Sequence, residues 1–210
     1  MRLAPQIRIL HARAYNGEFT GVMCMSKKTF RTVLCITAAD VFLFAAAAAF
    51  RVLYHVYAHG WMLSVYITLL TTAYHFGMRL LVGQSASVLC RGRKINPDLC
   101  CLRIHGFEHR LYRLLNVKKC KKYAITAKPE CFDIKNNTPE QLLQNMILAE
   151  ITHAICMPLS FVPLLLAIKY GAFWIFAVTS LAACLADLYF VIIQRYNRPR
   201  VERIIAMRSR

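Results

Sequence analysis

Four apolar blocks, at residues 33–50, 61–82, 146–168 and 171–193, constrain this chain more than any other feature of its sequence. Each is close to the roughly 20 residues a helix needs to cross the hydrocarbon core of a bilayer. Lipid offers no partner to an unpaired backbone N–H or C=O, so segments of this kind span as helices. Short joints separate the first block from the second and the third from the fourth. The expected fold is therefore all-α: a polytopic membrane protein with four transmembrane helices arranged as two hairpins. The expected division is a basic N-terminal segment at 1–32, a first hairpin at 33–83, a basic segment at 84–145, a second hairpin at 146–193 and a basic tail at 194–210. A hydrophobic share of 58% and a mean hydropathy of +0.41 place the whole chain in the same class.

Charge supplies the orientation. The formal net charge is +17, from 27 Lys and Arg against 10 Asp and Glu. Six of the cations lie in 1–32, twelve in 84–145 and six from Gln194 onward, whereas the two joints hold only Arg51 and Lys169. This asymmetry predicts that both termini and the long middle segment face the cytosol. Trp61 and Trp174 fall near the opposite face, where interfacial aromatics belong. Cations that flank apolar spans point to lipid headgroups or an anionic small molecule, and no RNP, KH or zinc-finger pattern argues for nucleic acid. The nine cysteines include no CxxC pair and no histidines at zinc spacing, so reduced thiols and no metal site are expected.

Met25, followed by Ser26, Lys27 and Lys28, is a natural start for a basic flank, which makes residues 1–24 read as an upstream extension. The flank and the apolar run after it mimic a secretory signal, but Asp40 in mid-run favours a retained helix over a cleaved one. Within the middle segment, Phe107, Leu111, Leu114 and Leu115 share one helical face, with His109, Arg110 and Arg113 on the other. That pattern predicts an amphipathic helix lying in the membrane interface. Thr138, Pro139 and Gln141 together read as a helix start with a capping box.

Six ionisable residues fall within the spans: Asp40, His75, Arg79, Glu150, His153 and Asp187. Charge inside a bilayer is costly, and each such residue is a functional candidate. Asp40, His75, His153 and Asp187 are each expected about 10 Å below the cytosolic surface, with Arg79 and Glu150 about one turn shallower. His75 and Arg79 share a face at i, i+4, as do Glu150 and His153 at i, i+3. The pattern predicts one polar chamber fed by all four helices, although Arg79 paired with Asp187 or Glu150 could equally serve as helix glue. The tail is expected to pack under it, bringing Arg195 or Arg198 to Glu150 or Asp187.

Gln194, Arg195, Tyr196, Asn197, Arg198, Pro199 and Arg200 form a heptapeptide. With Ala149 to His153 and the run from Val117 to Lys121, it resembles the bacterial glycosyl-4,4'-diaponeurosporenoate acyltransferase family across roughly the C-terminal half. Cys120 stands where the carotenoid enzyme has Trp, and Asp187 where it has Asn. The HxxxxD acyltransferase motif is missing. The resemblance implies acyl transfer to a hydroxyl of a glycosylated carotenoid or lipid at the bacterial cytoplasmic membrane. On that footing His153 is the candidate base, with Glu150 or Asp187 orienting it, Arg79 or Asn197 serving the oxyanion, and His75 beside them. Arg195, Arg198 and Arg200, with Lys118 and Lys119, are candidates to hold the phosphates of acyl-CoA or a similar cytosolic donor, and no tightly bound cofactor is expected. Two other readings remain open from the residues alone. One is a small helical methyltransferase or reductase using a nucleotide cofactor; the other is a non-catalytic lipid-binding protein.

Overall fold

The computed structural model describes residues 27–97, 99–120, 129–135 and 137–208. The first 26 residues lie outside the described part of the chain, as do Lys121 and Lys122. Seven helices organise the rest: α1 (Lys27–Tyr57), α2 (Gly60–Leu89), α3 (Gly106–Leu114), α4 (Val117–Cys120), α5 (Pro139–Leu159), α6 (Ala167–Tyr170) and α7 (Phe173–Arg208). No strand occurs among the described residues. Four segments are long and apolar enough to cross a membrane: Thr29–Tyr57, Gly60–Leu89, Pro139–Tyr170 and Phe173–Arg208.

Helices α1 and α2 pack as one hairpin and α5 and α7 as another, with α2 joining the two through α5. The α1–α2 joint is only Ala58 and His59, and Ala58 takes a left-handed φ of 54° to reverse the chain. Gly171 does the same between α6 and α7 at φ 69°, where a side chain would be strained. Both joints lie at one end of the bundle. There the Tyr66 and Tyr170 hydroxyls are 3.3 Å apart, and the Arg51 guanidinium sits 5.6 Å from the Tyr66 ring centre and 5.9 Å from that of Tyr170. Trp61 and Trp174 are exposed, as residues facing headgroups would be.

Two expectations change. The third span is not one continuous helix. Pro158 and Pro163 cannot donate to the helical ladder, so α5 gives way after Leu159 to a 3₁₀ turn at Val162–Leu166 and then to α6. The Leu159 carbonyl, which Pro163 leaves without its helical donor, accepts the Tyr74 hydroxyl at 2.8 Å. Nor does a separate tail follow the fourth span. Helix α7 runs through the heptapeptide for 36 residues, roughly 54 Å at 1.5 Å per residue, so it projects well beyond a core of about 30 Å.

The projecting end carries the packed core. Leu142, Leu143, Met146 and Ile147 of α5 close on Val201 of α7 and on Leu102, and the backbone N–H and C=O of Ile95 are strapped to the Gln144 side chain at 2.8 and 3.0 Å. The capping box at the start of α5 is present, with Gln141 N donating to Thr138 Oγ1 at 3.2 Å and Thr138 N to Gln141 Oε1 at 3.0 Å. Helix α3 turns Glu108 and Tyr112 inward and its apolar row outward, leaving Phe107 and Leu114 largely exposed. An apolar row facing away from the protein suits a helix lying at a lipid boundary.

Candidate functional site

The intramembrane ionisable residues do not share one chamber. Asp40 is buried against α2 with its Oδ2 beside Gly77, where a Cβ would come within 2.8 Å. Its Oδ1 has no hydrogen-bond partner among the described residues. Four of the other five divide between two centres, each built on a buried carboxylate, and the His75 ring is bonded in neither.

Asp187 forms the first. Helix α7 brings it to face α2 and α5, and its side chain is 1% exposed. Arg79 of α2 grips it from one side, with Nη2 2.6 Å from Oδ2 and Nε 3.2 Å from Oδ1. His153 of α5 approaches from the other, with Nδ1 2.9 Å from Oδ1. A carboxylate oxygen accepts, so Nδ1 donates to it, and in the neutral ring the lone pair then lies on Nε2. The ring lies flat on Phe190, 4.7 Å between centres, which fixes its plane. Nε2 has no protein partner among the described residues. Arg79 has little else to give: Nη1 donates to His75 O at 2.6 Å and Nη2 to Ala183 O at 2.9 Å. The geometry makes Arg79 a clamp on Asp187, the helix-pairing alternative that the sequence left open. His75 is buried on α2, and neither ring nitrogen has a hydrogen-bond partner among the described residues.

The second centre lies nearer the projecting end of α7. Glu150, 2% exposed, accepts from Arg195 Nη1 at 2.6 Å and from Arg198 Nη1 at 2.8 Å. The expected approach of the tail arginines to a buried acid is thus present. Arg195 also reaches Glu108 on α3, with Nε and Nη2 at 2.9 and 2.7 Å, and donates to Cys101 O and Arg103 O at 3.2 and 2.7 Å. All five of its N–H donors are used. Arg198 adds Pro97 O at 3.5 Å and lies 3.6 Å from Glu202.

Glu108 takes the His105 N–H at 2.9 Å and the Tyr112 hydroxyl as well. Its burial alone would raise its pKa, but these donors outweigh that and hold the carboxyl down to about 2. Burial pushes the Tyr112 hydroxyl upward, and its bond to Glu108 adds to the shift. Arg195 and Arg198 are therefore ion-paired and do not face a phosphate, and Glu150 serves them instead of orienting His153.

The remaining candidates lie outside both centres. Lys118 lines an open cleft with Tyr112, Arg113, Asn116 and Tyr196, whereas Lys119 is exposed and is not among the residues lining it. Arg200 lies over the Tyr196 ring, 4.4 Å from its centre, and Asn197 is half-buried on α7. Sequence reasoning missed Glu108 as a buried acid and Tyr112 beside it. Their i, i+4 spacing on α3 was the available signal, masked by the apolar row that draws attention to the other face.

Four spans with an imidazole–carboxylate pair held inside the bundle define a multi-pass membrane protein. The family comparison gives the more particular assignment. Residues 101–207 match the glycosyl-4,4'-diaponeurosporenoate acyltransferase family, and the chain belongs to it. The match takes in α3, α5, nearly all of α7 and both buried carboxylates, but not Arg79 of α2. Comparisons with curated proteins and with solved structures return no match.

Proposed function

We propose that this chain is a membrane acyltransferase that moves a fatty acyl group from a thioester donor, such as acyl-CoA, to a sugar hydroxyl of a glycosylated carotenoid or glycolipid. Family membership supplies the reaction class. The observation that carries the chemistry is the 2.9 Å contact between His153 Nδ1 and Asp187, itself clamped by Arg79. A carboxylate behind an imidazole fixes its tautomer and stabilises the cation formed when Nε2 takes a proton. Imidazole is also the side chain best suited to accept and return a proton near neutral pH.

In the proposed step the acceptor hydroxyl gives its proton to His153 Nε2 as its oxygen attacks the thioester carbonyl. A C–O bond forms and the C–S bond breaks. The departing thiolate then takes the proton from Nε2, leaving an ester, a free thiol and the enzyme in its starting state. Asp187 and Arg79 hold the ring through both transfers. Glu150 lies outside the step and secures α7 to α5.

The same reading puts both termini and the 84–145 segment on the cytosolic side of the bacterial cytoplasmic membrane, because the cations concentrate there. Single cysteines engineered at positions 58 and 135 test this: only position 58 should be labelled by an impermeant reagent outside intact cells, and labelling of 135 would overturn it. The reaction is tested in proteoliposomes given a glycosylated diaponeurosporenoate and an acyl-CoA. Mass spectrometry should find the acyl ester and an equal amount of free thiol. Absence of ester from folded protein with both substrates present would contradict the proposal.

A further inference from the structure

With Arg195 and Arg198 committed to carboxylates, the cations left to meet an anionic donor are elsewhere. The cleft of about 490 Å³ lined by Tyr112, Arg113, Asn116, Lys118 and Tyr196 holds two of them. Arg113 and Lys118 are exposed and have no acidic partner among the described residues. This contrasts with Arg195 and Arg198 on α7, both ion-paired to Glu150.

Its other walls are not those of a plain headgroup strip. Tyr112 and Tyr196 meet edge to face, with 5.7 Å between ring centres, and the Arg200 guanidinium lies on Tyr196 with Nη2 donating 2.7 Å to its hydroxyl. Asn116 adds an amide that can both donate and accept. Cations beside aromatic edges and an amide, in a concavity within the ordinary range for small-ligand sites, suit a phosphorylated nucleoside.

We propose that this cleft binds the adenosine 3',5'-bisphosphate end of a coenzyme A thioester. Arg113 and Lys118 meet its phosphates, and Asn116 with the tyrosine rings meets the adenosine. The proposal rests on the acyl-transfer reading and names the donor that reading requires. Phe190, stacked on His153, lies six residues before Tyr196 on α7, roughly 9 Å along the helix axis. A pantetheine arm leaving the cleft toward the spans would deliver its thioester beside His153.

The test is equilibrium binding of adenosine 3',5'-bisphosphate, which has neither thiol nor acyl group, to the full chain in phosphatidylcholine nanodiscs. Saturable binding is expected, weakened at least about tenfold by Lys118→Glu and by Arg113→Glu and unchanged by His153→Ala. Both charge reversals are at exposed positions, where substitutions rarely disturb folding. Adenosine alone and inorganic phosphate should bind far more weakly. No saturable binding, or binding indifferent to both reversals, would overturn the assignment. Inorganic phosphate matching the nucleotide, or phosphatidylglycerol in the nanodisc abolishing its binding, would instead make the cleft a headgroup site and also overturn it. Nucleotide binding that survives beside a fully active His153→Ala would sink the catalytic reading and leave the cleft standing. Loss of acyl transfer in His153→Ala without nucleotide binding to the wild type would do the reverse.

Discussion

Glu150 and Asp187 are matched in burial and in being held by cations, yet they do different work. Glu150 is held by Arg195 and Arg198, and Arg195 has no donor left over. Asp187 is held by Arg79 and by an imidazole whose far nitrogen is open. Arg198 keeps its buried Nε without a hydrogen-bond partner among the described residues, but both guanidinium groups are held on Glu150, which ties helices together, whereas Asp187 holds a ring whose far nitrogen can direct chemistry. Position along α7 follows the same division. The arginine-held centre sits at the projecting end, where α3, α5 and the 95–103 segment must be tied together, and the open centre lies deeper among the spans.

Removing Asp187 should have the largest effect. Asp187→Leu leaves Arg79 buried without its counter-ion and His153 without its orienting acceptor. Acyl transfer should fall about 1000-fold or more, with a stability loss of about 3–5 kcal/mol in a detergent melt. Asp187→Asn keeps an oxygen that can accept from Nδ1, so it should retain clearly more activity than Leu. Equal losses would mean that orientation of the ring is irrelevant.

Breaking the arginine-held centre should separate stability from rate. Glu150→Leu leaves the buried Arg198 without its close carboxylate and Arg195 with Glu108 alone, and should cost about 3–5 kcal/mol, with activity per folded molecule within about tenfold of wild type. A loss of rate matching that of the Asp187 variants, in protein that still melts cooperatively, would erase the distinction.

The pH dependence probes the same centre from the α3 side. The Glu108 pKa is lowered in the fold, so its contribution is fully present above its ordinary value near 4.5 and is lost as pH falls toward about 2. About 3 kcal/mol should disappear across that window, at roughly 1.4 kcal/mol per unit. A melt series should show this for wild type and a flattened dependence for Glu108→Gln. The smallest effect belongs to Tyr112→Phe, which removes one hydrogen bond to Glu108 and should cost about 1 kcal/mol.

Much of this architecture was legible beforehand for a physical reason. Apolar length and the Thr138–Gln141 cap are local signals, and local signals survive translation into structure. The approach of Arg195 and Arg198 to Glu150 was legible because α7 leads straight into the heptapeptide. The division of labour was not. His153 and Glu150 share a face of α5 at i, i+3, which suggests a pair, but their partners come from α2, α3 and α7. Arg195 could be read as a phosphate ligand only until Glu108 and the carbonyls of Cys101 and Arg103 took its donors. The break in the third span was written in Pro158 and Pro163, where an unbroken apolar run hides it.

A base on His153 whose neighbourhood folds without it can be tested in one variant. The most direct measurement is the initial rate of acyl transfer by His153→Ala, taken on the same preparation as its thermal melt. The rate should fall about 100-fold or more with a melting temperature close to wild type. A variant that keeps its rate, or loses it only together with its cooperative melt, would leave His153 a structural residue.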